Sequence, residues 1–309
     1  MKNLKSLTKF YGKLSTFGKI LVLMAVLLCV VIFFKSISTK KEGMSNDREK
    51  FVYKQDEAAY DDFYVSLYDL LVYNSIKNDY EVGTIINDTA PSETSRIADI
   101  GCGTGHHVGS FASKDIDIIG VDISPAMIKK AKESYPSLKF KVGDALDSGI
   151  FNMNSLTHIT CLYFTIYCFK DKRKFFYNCM DWLMPGGYLI VHLVDRQKFD
   201  PILPPGNPLY IVSPQKYAKE RITKTKITFN EFDYSADFNL DGGSDIATFD
   251  EKFKFNDGKV RKQQQKLYME DADAISNLAQ ECGFILEGKV NMVKCAYENQ
   301  YLYIFVKPE

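Results

Sequence analysis

The segment IADIGCGTGHHVGSFA, residues 97–112, constrains this chain more than any other. A short apolar run carrying Asp99 leads into Gly101, Gly103 and Gly105, and a helical pattern follows at once. Glycines between a strand and a helix let backbone approach a ligand, and the helix start offers unpaired N–H groups. Such a turn belongs to a strand–helix–strand unit, and therefore to an α/β fold.

The pattern from Arg96 onward agrees. Residues 96–100, 116–124, 138–147, 156–164 and 186–194 read as strands. Residues 106–113, 125–135 and 172–183 between them read as helices, the second opening with Ser124 as N-cap and Pro125 at the first helical position. Strands alternating with helices predict a doubly wound parallel sheet. Upstream, residues 58–76 repeat Tyr60, Phe63, Tyr64, Leu67, Leu70 and Leu71 at helical spacing, and 87–94 read as a loop. Downstream, FDYSADFNL alternates strictly, Asp241-Gly242-Gly243 can turn the chain, and 246–255 and 259–269 follow as further strands. An antiparallel β insertion at about 215–270 is expected, then a helix over 271–284 and two closing strands.

Residues 20–34, ILVLMAVLLCVVIFF, carry no charge. With Lys19 and Lys35 snorkelling, the span reaches the 17–25 residues or so that a bilayer requires. A single N-terminal transmembrane helix is expected, with residues 1–37 as tail and anchor and 38–55 as linker. A secretory signal peptide is the alternative, but Lys35, Lys40 and Lys41 stand where a small-residue cleavage site would be. Lysines on both sides leave the orientation open. The seven cysteines form no C-x-x-C pair, so neither a disulfide framework nor a zinc site is expected, and no metal. Formal charge is zero, so no nucleic-acid partner is expected.

Two readings of the glycines compete. A dinucleotide turn, G-x-G-x-x-G/A, would put His106 where close strand–helix packing requires a small residue. An NAD-dependent oxidoreductase is thus the weaker reading. The order Asp99-x-Gly101-x-Gly103-x-Gly105 instead resembles motif I of class I S-adenosylmethionine-dependent methyltransferases. GVDIS with Asp122, VGDALD with Asp144, and WLMPGGYLIV before the fifth strand continue the resemblance in order over about residues 56–200. The N-terminal YDDFY segment looks like the helix that folds over the cofactor.

The resemblance implies a Rossmann-like, mainly parallel seven-stranded sheet and S-adenosyl-L-methionine as cofactor. It puts Asp99, Gly101, Cys102, Gly103, Gly105, Asp122, Ile123, Asp144, Ala145 and Tyr60 around that cofactor. Asp122 would grip the ribose hydroxyls and Asp144 the adenine amine. The acceptor should sit at the carboxyl ends of strands four and five, beside Tyr163, Phe164, Tyr167, His192 and Asp195. Of these, Tyr163, His192 and Asp195 are the catalytic candidates, though His192 in LIVHLV also reads as a core histidine. The fourth strand departs from the family, opening with Leu156-Thr157-His158-Ile159 and lacking the Pro-Pro-Tyr motif of many nucleic-acid amino-methyltransferases. The insertion resembles those of small-molecule methyltransferases, where it covers the acceptor or builds a dimer. A membrane-anchored enzyme acting on a small-molecule or lipid-associated acceptor is expected, its catalytic domain in the cytosol; a catalytically silent scaffold of the same fold is the alternative.

Overall fold

The structure, a computed structural model, describes residues 51–206 and 213–309, with residues 15, 17–19, 22 and 24 near the start. The chain divides into Met1–Arg48 and Glu49–Glu309, and both sheets belong to the second unit. The apolar run 20–34 lies almost wholly outside the described residues. Among the described residues no helix is long and apolar enough to cross a membrane.

Among the described residues twelve strands, β1 to β12, form two sheets. The larger contains β2 (Arg96–Ile100), β3 (Asp117–Asp122), β4 (Lys139–Val142), β5 (Leu156–Cys161), β6 (Leu183–Val194), β11 (Ile285–Asn291) and β12 (Gln300–Val306). Their order is β11-β12-β6-β5-β2-β3-β4. The five strands from β4 to β6 are parallel, but β12 runs antiparallel to both β6 and β11, so the sheet is mixed. The chain moves outward from β2 in one direction through β3 and β4, then in the other through β5 and β6. This reversal leaves a crevice at the carboxyl ends of β2 and β5.

Both faces of the sheet are buried. Ile190, Leu302 and Ile304 pack on one face with Val82, Ile85 and Phe111. Leu189, Val191, Tyr303 and Phe305 pack on the other with Phe175, Phe176 and Trp182. Strand alternation therefore places apolar side chains in two cores rather than one. The covering helices include α1 (Asp62–Val72), α2 (Ser75–Thr89), α3 (His106–Ala112), α4 (Pro125–Ser134), α5 (Lys172–Trp182) and α6 (Ala272–Glu281).

Two local differences from the sequence reading have clear causes. The single helix expected over 58–76 is broken. Asp61 caps α1 by accepting from Tyr64 N–H, and Asn74 caps α2 by accepting from Lys77 N–H at 3.0 Å. Each side chain competes with a continuing helix by satisfying a new helix start. Tyr60 consequently lies ahead of α1 rather than within it. The second difference is β1 (Phe51–Gln55), which occupies the end of the expected linker. It pairs in parallel with β10 (Val260–Tyr268) at the edge of a five-stranded sheet completed by β9 (Ile246–Phe255), β8 (Phe232–Leu240) and β7 (Lys224–Thr228).

Buried polar contacts fasten that sheet to α1. Arg261 on β10 donates to both carboxylate oxygens of Asp61 at 2.9 and 2.8 Å and to the Ala59 carbonyl at 2.9 Å. Glu251 on β9 is buried and accepts from Tyr64, Tyr234 and Gln263 at 3.0, 2.6 and 2.7 Å. Burial pushes the Glu251 carboxyl pKa upward, and the three donors only partly offset this. Unmade buried hydrogen bonds cost about 1–3 kcal/mol each. Glu251→Ala is therefore expected to destabilise the domain by roughly 3–5 kcal/mol, because three donors lose one acceptor group. Tyr64→Phe, which removes one bond and keeps the ring, should cost only about 1 kcal/mol. Urea unfolding of both variants checks the ranking.

Candidate active site

The glycine turn after β2 leaves no room for another residue at its start. Gly101 has φ +71°, and a Cβ there would lie 2.4 Å from the Thr165 side chain. Gly105, at φ +89°, stands just outside α3, where a Cβ would meet the Phe140 ring at 2.8 Å. Gly105 thus serves close packing between helix and strand.

Asp122, at the end of β3, ties this turn to the next one. Its Oδ2 accepts from Gly103 N–H at 2.9 Å and its Oδ1 from Ser124 N–H at 2.8 Å. Ser124 caps α4 and donates its hydroxyl to the Tyr60 carbonyl at 2.9 Å. Burial pushes the Asp122 pKa upward, opposed by the two backbone N–H groups.

A cavity of about 440 Å³ opens over these turns. Gly101, Gly103, Asp122, Ile123, Asp144 and Ala145 line one part of it, together with Tyr60, Tyr64 and Tyr68. Tyr163, Phe164, Phe199, Phe238 and Phe249 line the remainder, so the five-stranded sheet contributes to its wall. Asp144 accepts from Leu146 N–H at 2.8 Å, which fixes its loop.

A second cavity of about 80 Å³ shares Gly101, Gly103 and Tyr163 with the first. Its wall includes Lys77, Glu81, Asp99, Cys102 and His107. Asp99 is 2% exposed, and Thr160 donates to its Oδ1 at 2.7 Å. Its Oδ2 is buried with no hydrogen-bond partner. Burial pushes the Asp99 pKa up to about 6, with Glu81 and Asp122 acting in the same sense and His107 and Thr160 opposing. Glu81 behaves oppositely. Burial disfavours its charge, yet Lys77 at 2.5 Å and His107 at 2.8 Å hold its pKa down to about 2. An orphan carboxylate oxygen beside a lysine and an ionised glutamate suits a zwitterionic amino-acid group.

The order of strands, the crevice and the cavity lining define a class. Residues along about 80% of the chain superpose on a crystal structure of an S-adenosylmethionine-dependent methyltransferase from Clostridium acetobutylicum, covering 97% of that chain, with TM-score 0.60 and 15% identity. The fold is therefore that of these methyltransferases. Residues 97–187 match the family profile described as a methyltransferase domain. The chain is 31% identical over 109 residues to trans-aconitate 2-methyltransferase of Methylobacterium radiotolerans, covering 34% of this chain and 41% of that protein. It is 29% identical over 114 residues to a dTDP-4-amino-2,3,4,6-tetradeoxy-D-glucose N,N-dimethyltransferase of Saccharopolyspora spinosa, covering 36% and 45%. The matches span less than half the length of these curated relatives. The matched segment carries Asp99, the three glycines of the turn, Asp122 and Asp144.

The expected cofactor residues divide by location. Tyr60, Gly101, Gly103, Asp122, Ile123, Asp144 and Ala145 line the larger cavity. Asp99 and Cys102 line the smaller one, and Gly105 lines neither. Of the three catalytic candidates, only Tyr163 reaches the cavities. His192 is fully buried beneath them, its Nδ1 bonded at 2.8 Å to the Tyr163 carbonyl. Burial, with Lys77 adding to it, pulls the His192 pKa down to about 3. Neutral imidazole paired with a carbonyl donates through Nδ1–H, so His192 supports the Tyr163 backbone, which has φ +54°. Asp195 accepts from Gln197 N–H at 3.1 Å and pairs with Lys198 at 3.2 Å, so it caps a loop.

The sequence reading missed Tyr68, Lys77, Glu81, Tyr297 and Gln300. Lys77 and Glu81 carry a legible signal, an i,i+4 pair on α2, but that helix was not recognised. Gln300 and Tyr297 come from the far end of the chain and carry none.

Asp99 yields a prediction with opposed signs. Its folded pKa is raised, so the penalty for charging it is absent below about pH 4 and complete above about pH 6. Asp99→Asn should raise the stability of the ligand-free protein by roughly 1–2 kcal/mol near pH 7.5 and change it little near pH 4. The same variant should bind S-adenosylmethionine at least about tenfold more weakly, since a charge-assisted bond is lost. Thermal unfolding at the two pH values and calorimetric titration separate these effects.

Proposed function

We infer that this chain is an S-adenosylmethionine-dependent methyltransferase that transfers a methyl group to nitrogen or oxygen of a small acceptor. The observation that supports this reading most is the continuity of the larger cavity, from Gly101, Gly103 and Asp122 to the aromatic wall contributed by the β insertion.

S-adenosylmethionine, when bound, supplies a methyl group already activated on a sulfonium. The protein then has to bind, orient and exclude water. Asp99 Oδ2 offers a place for the cofactor ammonium. Each Asp122 oxygen keeps a lone pair beyond its backbone bond, suited to a ribose hydroxyl. Asp144 is placed for the adenine amine. Tyr163 is a neutral donor, because burial raises its phenol pKa far above the working range. His192 is neutral and, like Asp195, lines neither cavity, so this reading gives neither the role of general base. The reading is therefore one of catalysis by positioning, with an amine acceptor entering deprotonated. The amino-sugar relative is consistent with such an acceptor.

The apolar run 20–34 is read as a single-pass anchor that holds the enzyme at a membrane, with the domain in the cytosol. Free Cys102, Cys161, Cys168, Cys179, Cys282 and Cys295 suit a reducing compartment.

Asp122→Ala tests the cofactor assignment. It removes a carboxylate that also holds the turn at Gly103, so the S-adenosylmethionine Kd should rise at least about tenfold. Unchanged affinity in calorimetric titration would refute the assignment. Incubation with methyl-labelled cofactor and fractionated metabolites tests the activity: label should appear in an amine- or hydroxyl-bearing product, and its absence from every fraction counts against catalysis.

A further inference from the structure

The five-stranded sheet has two faces of different character. One packs against α1 and walls the cavity. The other is open among the described residues. Cross-strand register aligns Tyr53, Lys262, Lys252, Ser235 and Lys226 in one row across it. Phe51, Val260, Lys254, Asp233 and Thr228 form the adjacent row.

Six exposed lysines stand on this face: Lys224, Lys226, Lys252, Lys254, Lys262 and Lys266. They face three aspartates. Asp237 is paired with Lys224 at 3.2 Å, Asp250 accepts from Gln264 and Thr248 at 2.7 and 3.0 Å, and Asp233 accepts from Thr228 at 2.9 Å. The face keeps a positive surplus of three. Along its β1 edge, Phe51 and Tyr53 are 54% and 49% exposed. Lysines beside exposed aromatic rings are the combination that suits a headgroup layer.

The chain preceding β1 points to the same occupant. The uncharged run 20–34 is followed by Lys35, Lys40, Lys41, Arg48 and Lys50, which outnumber the interleaved Glu42, Asp47 and Glu49, and Phe51 opens the sheet edge. Sixteen residues, 35–50, separate that run from Phe51 in the sequence. A second copy docked face to face would set lysine against lysine, which is unfavourable.

We propose that the open face of the five-stranded sheet docks on an anionic lipid surface, its lysines over the headgroups and Phe51 and Tyr53 at headgroup depth. Lys266 belongs to both this face and the cavity lining, so the cavity meets the lipid-facing edge of the domain. The inference goes beyond methyl transfer and does not depend on the acceptor, but it rests in part on the anchor reading of residues 20–34.

The test uses the full chain incorporated into vesicles of phosphatidylcholine alone or of phosphatidylcholine with phosphatidylserine. Acetylation of each lysine is followed by mass spectrometry. Lys226, Lys252, Lys254 and Lys262 should react at least about threefold more slowly on the anionic vesicles, and this protection should vanish in about 0.5 M salt. Lys114 and Lys174, exposed elsewhere on the domain, should react equally on both. A Lys252→Glu/Lys254→Glu/Lys262→Glu variant should keep its melting temperature and its S-adenosylmethionine affinity while Lys226 loses its lipid-dependent protection. Equal reactivity on both vesicle types overturns the proposal. So does protection in detergent without lipid, which would mean a second copy, or protection by duplex DNA in place of lipid. Cofactor affinity measured on the same samples reports separately on the methyltransferase reading.

Discussion

The two hydrogen bonds accepted by Asp122 hold the candidate site in place. One oxygen fixes the glycine turn after β2, and the other fixes the start of α4. Ser124 extends the connection to the Tyr60 carbonyl, and hence to the segment entering α1. A single carboxylate thereby joins three stretches of chain separated in sequence. Its burial is costly for a charged group, and the backbone donors offset part of that cost. The arrangement presents Gly101 and Gly103 to the cavity with their backbone already set, so little ordering remains for ligand binding.

The second constraint closes the cavity. Arg261 grips Asp61 and the Ala59 carbonyl, while Glu251 collects Tyr64, Tyr234 and Gln263. Thr104 also donates to Asp69 at 2.6 Å, and His106 stacks on Tyr73 at 3.7 Å, so α1 is fixed to the glycine turn as well. Tyr64 is 2% exposed and therefore anchors α1 to the insertion. These contacts make α1 a fixed wall of the chamber. Within that chamber the aromatic rings predominate, Tyr163 among them, and His192 beneath it is neutral. Such surroundings suit a reaction whose driving charge arrives on the cofactor.

Asp99-x-Gly101-x-Gly103-x-Gly105, the acids Asp122 and Asp144, and the alternation of strands and helices were enough to specify the parallel core and to single out several residues that line the larger cavity. That information is local: a tight turn, a strand end and a helix cap each depend on a few neighbouring residues. The antiparallel insertion was legible for the same reason, since alternation in FDYSADFNL and its neighbours reports directly on a half-buried sheet. What the sequence did not determine were the relations between distant segments. The break between α1 and α2 depended on Asn74 competing as a cap, and β1 on pairing with a strand some two hundred residues away. His192 and Asp195 sit near strand ends in the sequence, but only the packing of β12 against β6 buried the first and left the second capping a loop. Lys77, Glu81 and Asp99 form one electrostatic group only once α2 lies against the turn, because their charges act through space at a few ångströms and not along the chain.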